Sequence, residues 1–296
     1  MSRVVVDVEG RQVALSNLAK VLYPDGFTKG QVLDYYTRIA PVLLPHLTGR
    51  ALTRKRYPDG VDGPVFFEKN APRGTPGWVR TVTLPSPGSS RNRETIDYVV
   101  VDDLAALVWT ANLASLELHT HLWRVEGAQE PRAAAPDLVV FDLDPGPPAT
   151  IVQCCEVAQL LRPLLEADGL SPLAKTSGSK GLQLYARADA FASAEQTSAY
   201  AKKLAQRLEQ ERPELVVHRM TKSLRAGKVL VDWSQNSAAK TTVSVYSLRA
   251  KERPTVSAPV TWQEVERCAS PQDLVFTSDD VLARVERHGD LFAPLL

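Results

Sequence analysis

Cysteine is scarce in this 296-residue chain: Cys154, Cys155 and Cys268 have neither the spacing of a metal knuckle nor the even number of a disulfide set. The adjacent pair is expected inside a helix, as core or near-core residues. No apolar run is long enough to cross a membrane, and the opening MSRVVVDVEG has no signal-peptide core. No membrane partner is expected, and the cytoplasm is the expected compartment. Net charge is nearly absent at +1, which argues against indiscriminate binding to nucleic acid but leaves room for a local basic groove. Histidine is sparse too, at five. His119 and His121 can share a strand face, but no Cys or third His lies near them, so no zinc site is expected. There is no internal repeat and no long low-complexity tract. Hydrophobic residues at 44% and charged residues at 23% are ordinary for a globular protein of this length, which has ample core.

Patterning divides the chain in two. In the first part, RVVVDVEGRQVALS predicts an opening strand, and SNLAKVLYPDG a capped helical turn closed by a bend. TKGQVLDYYTRIAPVLLPHLTG predicts a helix with Thr28 as N-cap and Gly49 as stop. Strands follow in ALTRKR, PVFFEKN, near Val79 to Leu84, in TIDYVVVDD and in LELHTHLW, with a helix at LAALVWTANLAS and a loop-rich stretch from Ala71 to Glu94. Gly127 to Pro136 is the expected boundary. Beyond it come a strand at Leu138 to Asp144, a helix at Thr150 to Asp168, and strands at Pro172 to Thr176 and LQLYAR. A long helix at Ala192 to Glu211 and a last strand, KVLVDWSQ, complete the series. That order is β-α-β-β-α-β, the split arrangement of ferredoxin-like and RNA-recognition folds, in which the first strand is flanked by the third and fourth. The remaining C-terminal segment predicts short helices packed as an appendage.

The stretch LVVFDLDPGP ends an apolar run with two aspartates one residue apart. On a strand, Asp142 and Asp144 share a face, with their positions roughly 7 Å apart. Such a pair is either the polar end of a strand or a platform for a divalent cation, because neighbouring carboxylates repel unless something positive lies between them. In the predicted sheet Asp232 of VLVDWSQN joins them. Three carboxylates suit Mg²⁺- or Mn²⁺-class ions, two of which commonly serve in-line phosphoryl or nucleotidyl transfer. In KTSGSKGLQLYA, small residues let the backbone N–H groups of Ser177 to Gly181 approach a phosphate, with Ser177 and Lys180 adding a hydroxyl and a charge. Lys222, Arg225, Lys228, Lys240 and Arg249 are either a solvated face or a polyphosphate clamp. RALTRKR, Arg50 to Arg56, adds a basic run upstream. Phe66 and Phe67 cannot both point inward from one strand. One is a candidate stacking platform for a base; otherwise one lies in the core and the other against a partner sheet.

The ordered set TRKR, FFEK, LELH, FDLDPG, TSGSKGLQLY, TKSLRAGKVLVDWSQN and KTTVSVYSLR resembles the polymerase domain of bacterial DNA ligase D, in the archaeo-eukaryotic primase superfamily. The likeness runs over nearly the whole chain. It implies an α/β (α+β) primase-polymerase fold: an N-terminal module over residues 1–127, an RNA-recognition-like catalytic module over 137–250 and a C-terminal appendage over 251–296, all one compact polymerase domain. It further implies template-directed addition of nucleotides, NTP or dNTP with ribonucleotides often favoured, at gaps or double-strand-break ends of DNA. Mn²⁺ or Mg²⁺ is the implied cofactor, with two ions beside a bound nucleotide. Ku and a DNA ligase are the implied partners, and the bacterial nucleoid the implied place of work. By the resemblance Asp142, Asp144 and Asp232 are the catalytic metal triad. Lys55, Phe66, Phe67, His119, Ser177, Lys180, Gln235 and Arg249 surround the nucleotide, base and template. Lys20 and Lys29 grip a downstream 5′-phosphate, Arg56 adds to the DNA contact, and Arg225 sits on a loop used in end pairing. One departure is Gln183, where many primase relatives have His. Another is the lack of a ligase or nuclease module, so a stand-alone or excised domain is expected. Two rival readings are a haloacid-dehalogenase-type phosphatase, which also starts from Asp-x-Asp on a strand, and a DNA-end binder without turnover.

Overall fold

The computed structural model describes residues 3–86 and 94–296. Residues 87–93 of the expected loop lie outside the described residues. The N-terminal part runs β1 (Arg3–Val8), β2 (Arg11–Ser16), α1 (Lys29–Leu47), β3 (Ala51–Arg56), β4 (Phe66–Glu68), β5 (Thr81–Pro85), β6 (Thr95–Val100), α2 (Leu104–Asn112) and β7 (Ser115–Thr120). It continues through β8 (Trp123–Glu126) and β9 (Arg132–Pro136) to β10 (Leu138–Pro145) and α3 (Ile151–Ala167). Then come β11 (Leu173–Thr176), β12 (Leu182–Arg187), α4 (Ala194–Glu211), β13 (Val216–Val217), β14 (Val229–Asp232) and β15 (Thr242–Val243). The chain finishes with β16 (Pro259–Val260), α5 (Trp262–Arg267) and α6 (Ser278–His288). None of the described helices is long and apolar enough to cross a membrane.

Helix α1 starts where expected. Thr28 and Gln31 form a reciprocal capping box, and the chain turns off at Thr48 and Gly49, whose φ of 73° needs no side chain. Pro41 and Pro45 each delete an intrahelical hydrogen bond, so burial has to hold the helix. Val32, Leu33, Tyr35, Tyr36, Ile39 and Leu43 supply it, each contributing about 1.5–3 kcal/mol by leaving water. The expected helical turn at SNLAKVLYPDG is instead a series of bends, with Asn17 at a φ of 54°.

The first large sheet has the order β15-β7-β3-β6-β5, with β4 pairing β3 as an edge. The second has the order β13-β14-β10-β12-β11-β16. Its middle four strands reproduce the split arrangement, with β10 between β14 and β12. Two edge strands were not legible in the sequence: β13 is two residues long, and β16 comes from the C-terminal segment. The stretch from Gly127 to Pro136 also holds a strand, β9, paired with β8.

Strand alternation decides what each face of the second sheet meets. Val139, Phe141 and Leu143 of β10 pack in one core with α3 and α4, where Cys154 and Cys155 are buried as well. The opposite face looks at the N-terminal module, and Val140 and Tyr185 join its core with α1 and α2. The C-terminal segment belongs to both cores: Val256, Val281 and Phe292 to the first, Val260, Val265 and Leu274 to the second. It therefore ties the two modules together. Where the apolar contact between modules gives out along β10, the aspartates begin.

Candidate active site

Register brings the three carboxylates together. Asp142 lies directly opposite Asp232 on antiparallel β10 and β14, and Asp144 follows two residues on along the same face. One oxygen from each falls within 4.8 Å of the others, well inside the distance set by strand rise alone. Asp232 ends its strand rather than sitting within it: its Oδ1 accepts from the backbone N–H of Ser234 at 3.1 Å and starts a 3-10 turn over residues 233–236. Asn236 anchors that turn by donating to Val140 O (2.7 Å) and accepting from Val140 N (2.9 Å). Gln235 Nε2 donates to the other oxygen of Asp232 at 2.9 Å.

Like charges opposite one another in a sheet are destabilising. Burial first, then Asp144 and Asp232, push Asp142 well above the usual carboxylate range; burial and Asp232 raise Asp144 as well. Asp142 has one oxygen held by Gln183 Nε2 at 2.9 Å. Its second oxygen and both oxygens of Asp144 accept no hydrogen bond among the described residues. An all-oxygen, mutually repelling donor set with free lone pairs fits a hard divalent cation.

A cavity of about 300 Å³ opens over Asp142 and Asp144, with Asp232 set just outside its lining. His119, Asp142, Asp144, Ser177, Lys180, Gln235 and Arg249 all line it, so seven of the expected residues meet at one space. The turn from Ser177 to Gly181 is held tightly in place. A Cβ on Gly181 would meet Leu143 O at 2.3 Å, and one on Gly178 would meet the Val256 backbone at 2.7 Å. The turn also uses its own amides. Ser177 N donates to Gly181 O (2.9 Å), while Ser179 N (3.2 Å) and Gly181 N (3.1 Å) donate to Ser177 Oγ. Of the five N–H groups expected to face a phosphate, only those of Gly178 and Lys180 have no partner among the described residues. The Ser177 hydroxyl, already accepting twice, is left with its own proton to give.

The opposite wall is organised by a residue for which the sequence reading had no role. Glu117, 2% exposed, binds Lys55 Nζ (3.1 Å) and His119 Nε2 (2.9 Å) through Oε2, and lies 3.3 Å from Arg249 Nε through Oε1. Burial pushes this carboxyl up, but the hydrogen bond from His119 and the charges of Arg249, His119 and Lys55 outweigh it and hold it far below the usual range. Burial lowers the pKa of His119, with the hydrogen bond and charge of Glu117 opposing the shift. The signal lay in LELH: residues 117 and 119 share a strand face, and Lys55 stands opposite Glu117 in register. Arg249 also donates to Ser177 O, and so joins this wall to the turn.

Phe66 and Phe67 are 46% and 52% exposed on the edge strand β4. Neither fills a core, because β4 pairs only with β3. Phe67 meets the His119 ring edge-on at 6.3 Å and stands at the lip of the cavity. Arg225 lies on the loop before β14, donates to Met220 O at 2.5 Å, and its charge lowers Asp144. Lys20, Lys29 and Arg56 form a separate group around the start of α1. Lys20 pairs with Asp59 (2.8 Å) and Arg56 with Glu68 (2.7 Å). Lys29 is buried, giving two of its protons to Ser16 O (2.7 Å) and Ser16 Oγ (3.2 Å).

With this geometry the chain was compared with known proteins. Residues 28–292 match the family described as LigD, primase-polymerase domain. The multifunctional non-homologous end joining protein LigD of Mycolicibacterium smegmatis is 45% identical over 285 residues, covering 96% of this chain and 36% of that protein. The bifunctional non-homologous end joining protein LigD of Bacillus subtilis is 30% identical over 281 residues, covering 94% and 43%. The chain thus spans less than half the length of these relatives. Among solved structures, the polymerase domain from Mycobacterium tuberculosis ligase D in complex with DNA superposes with a TM-score of 0.90 at 45% identity, covering 96% of this chain and 97% of that one. An acidic triad on a split sheet, a cavity of about 300 Å³ against two of its carboxylates and this degree of likeness lead to one conclusion: the chain belongs to the LigD primase-polymerase domain family, and with it to the DNA-directed nucleotidyltransferases.

Proposed function

We propose that this chain extends DNA at ends and gaps by template-directed nucleotidyl transfer during non-homologous end joining or gap repair, with ribonucleotides preferred. The observation that carries the reading is the convergence of Asp142, Asp144 and Asp232 within 4.8 Å, the first two lining a cavity that Lys180 and Arg249 line as well. Bound Mn²⁺ or Mg²⁺, two ions once a nucleotide is present, would be held by those three carboxylates and would acidify the attacking hydroxyl and share the triphosphate's charge. Lys180 and Arg249 neutralise charge as a primer 3′-oxygen bonds to the α-phosphorus and pyrophosphate departs. Ser177 gives its proton to a phosphate oxygen, and Lys55, His119 and Gln235 border the nucleotide. Phe66 and Phe67 offer apolar faces to base and template at the lip. Lys20, Lys29 and Arg56 receive a downstream 5′-phosphate, helped by the N-terminus of α1. Arg225 steadies a second DNA end. Ku and a DNA ligase are the expected partners at a break.

Primer extension tests this. A gapped duplex with a downstream 5′-phosphate, Mn²⁺ and labelled nucleotides should give template-matched products, faster with NTP than with dNTP. Tight binding of the gap without any extension, or release of inorganic phosphate from small phosphoesters instead, would end the proposal.

A further inference from the structure

Four polar side chains occupy one row across the catalytic sheet. Register pairs Lys175 with Gln183, Gln183 with Asp142, and Asp142 with Asp232, on the face that looks into the cleft. The first three touch in series. Lys175 Nζ donates to Gln183 Oε1 (2.5 Å) and Ser257 Oγ (2.7 Å), and Gln183 Nε2 donates to Asp142 Oδ1 (2.9 Å). Lys175 is 1% exposed and Gln183 4%. An ammonium taken this far from water costs several kcal/mol unless it is compensated. Its two hydrogen-bond acceptors are both neutral; burial pushes its pKa well below the ordinary lysine value, the charge of Asp142, one place further along the row, opposes that shift, and Arg249 adds to it.

Amide chemistry gives the row a direction. Oε1 can only accept and Nε2 can only donate, and Lys175 Nζ donates to Oε1, while its other acceptor, Ser257 Oγ, gives its own proton to Thr176 O (2.8 Å). Lys175 therefore fixes which way the Gln183 amide faces, and the N–H so presented commits Asp142 Oδ1. A carboxylate with one oxygen held has one way to offer the other. We infer that Lys175 and Gln183 are positioning residues for the cation site: the buried Lys175 Nζ orients the amide, and the amide holds Asp142 so that a single oxygen faces the ion. This rests on the reading of Asp142 as a cation ligand. It also gives Gln183 a task other than phosphate binding. Imidazole could replace the amide here, because a neutral ring accepts at one nitrogen and donates at the other.

The test measures Mn²⁺ binding to the intact chain without nucleotide or DNA, by electron paramagnetic resonance of the free ion, alongside melting curves and extension kinetics. Asp142→Asn should abolish the site. Gln183→Leu should weaken Mn²⁺ binding about 10–100-fold, as loss of a hydrogen bond to a metal ligand commonly does. Its extension rate should recover as Mn²⁺ is raised, which a merely structural defect would not allow. Gln183→His should bring the affinity back to about the wild-type value. Should Gln183→Leu fail to fold, the double variant Lys175→Met, Gln183→Leu carries the same expectation, since removing both partners leaves no orphaned ammonium. Wild-type Mn²⁺ affinity in Gln183→Leu or the double variant, with Asp142→Asn still losing the ion, would overturn the inference and spare the reading of the site. An equally weak Gln183→His would also overturn it. Unchanged affinity in Asp142→Asn as well would overturn the reading itself.

Discussion

The two walls of the cleft treat their carboxylates in opposite ways. On the N-terminal sheet Glu117 has two cations, Lys55 and Arg249, and the His119 ring within 3.3 Å and is held far below the usual carboxylate range. On the catalytic sheet Asp142 and Asp144 face each other and Asp232 with no side-chain cation within hydrogen-bond distance among the described residues, and both are pushed up. The first arrangement is complete in itself and fixes the side chains around a ligand. The second is electrostatically unfinished, and a divalent cation would finish it. Replacing acids on the two walls should therefore do different damage. Asp142→Asn or Asp144→Asn removes a metal ligand while easing repulsion. Extension should fall by ~10³-fold or more, because several kcal/mol of transition-state stabilisation are lost. Gapped-DNA binding should persist in both, and the melting temperature of Asp144→Asn should not drop; Asp142→Asn also takes from the buried Lys175 the charge that favours its protonated form, so Asp144→Asn is the clean measure. A clear loss of stability in Asp144→Asn would show that the triad is satisfied as it stands.

The complementary change is Glu117→Gln. It leaves Lys55 and Arg249 without their buried counter-charge. A destabilisation of about 2–3 kcal/mol is expected, less than for a fully enclosed pair since Lys55 reaches solvent. Extension should suffer in both the KM for nucleotide and kcat, because Lys55 borders the ligand whereas Arg249 is assigned to the charge of the departing pyrophosphate. A melting temperature equal to wild type, measured by calorimetry, would break the contrast between the walls. Phe67→Ala sharpens it from the rim. An exposed side chain contributes little to stability, yet a stacked base is worth roughly 1–3 kcal/mol. The expected result is about tenfold weaker template or nucleotide binding with unchanged melting.

How much of this was legible beforehand follows the same division. Asp142 and Asp144 announce themselves through a strand period of two, and Asp232 joins them once the β-α-β-β-α-β order is written down, because that topology fixes which strands are neighbours. The catalytic sheet is local in sequence, and its register follows from alternating apolar residues such as Val139, Phe141 and Leu143. Glu117 was not legible in its role. Its partners Lys55 and Arg249 come from strand β3 and from a loop 132 residues further on, and nothing in a one-dimensional pattern joins them. Lys175 had no role in the sequence, since burying a lysine makes sense only when Gln183 and Ser257 are seen beside it. The backbone amides of Ser177 to Gly181 looked free in sequence and turned out to be largely used by the turn itself. The C-terminal segment read as an appendage because its apolar residues alternate between two cores, which blurs any single periodicity.

The smallest effect lies outside the cleft, at the lysine pair by α1, where a third regime of charge holds. Lys29 is a cation among cations: burial first, then Lys20 and Arg56, bring its pKa down to about 8. The protonated form binds phosphate, so the advantage of a 5′-phosphorylated gap should be full near pH 7 and fade as pH rises through about 8. A bound phosphate delays the loss, since an anion at Nζ raises the pKa again. The stability linkage has a definite sign. Between about 8 and the ordinary value of 10.5 the unfolded chain binds more protons at this position than the folded chain, so this residue's contribution to stability rises with pH over that window. Binding and stability therefore move in opposite directions, a combination that general alkaline denaturation cannot imitate. Lys29→Met should remove both trends, leaving a few-fold residual preference through the exposed Lys20. Fluorescence anisotropy on gaps with and without the 5′-phosphate, from pH 7 to 9, reads the first trend directly. A preference that stays constant across that range would mean that Lys29 gives its protons to Ser16 alone and never reaches the DNA.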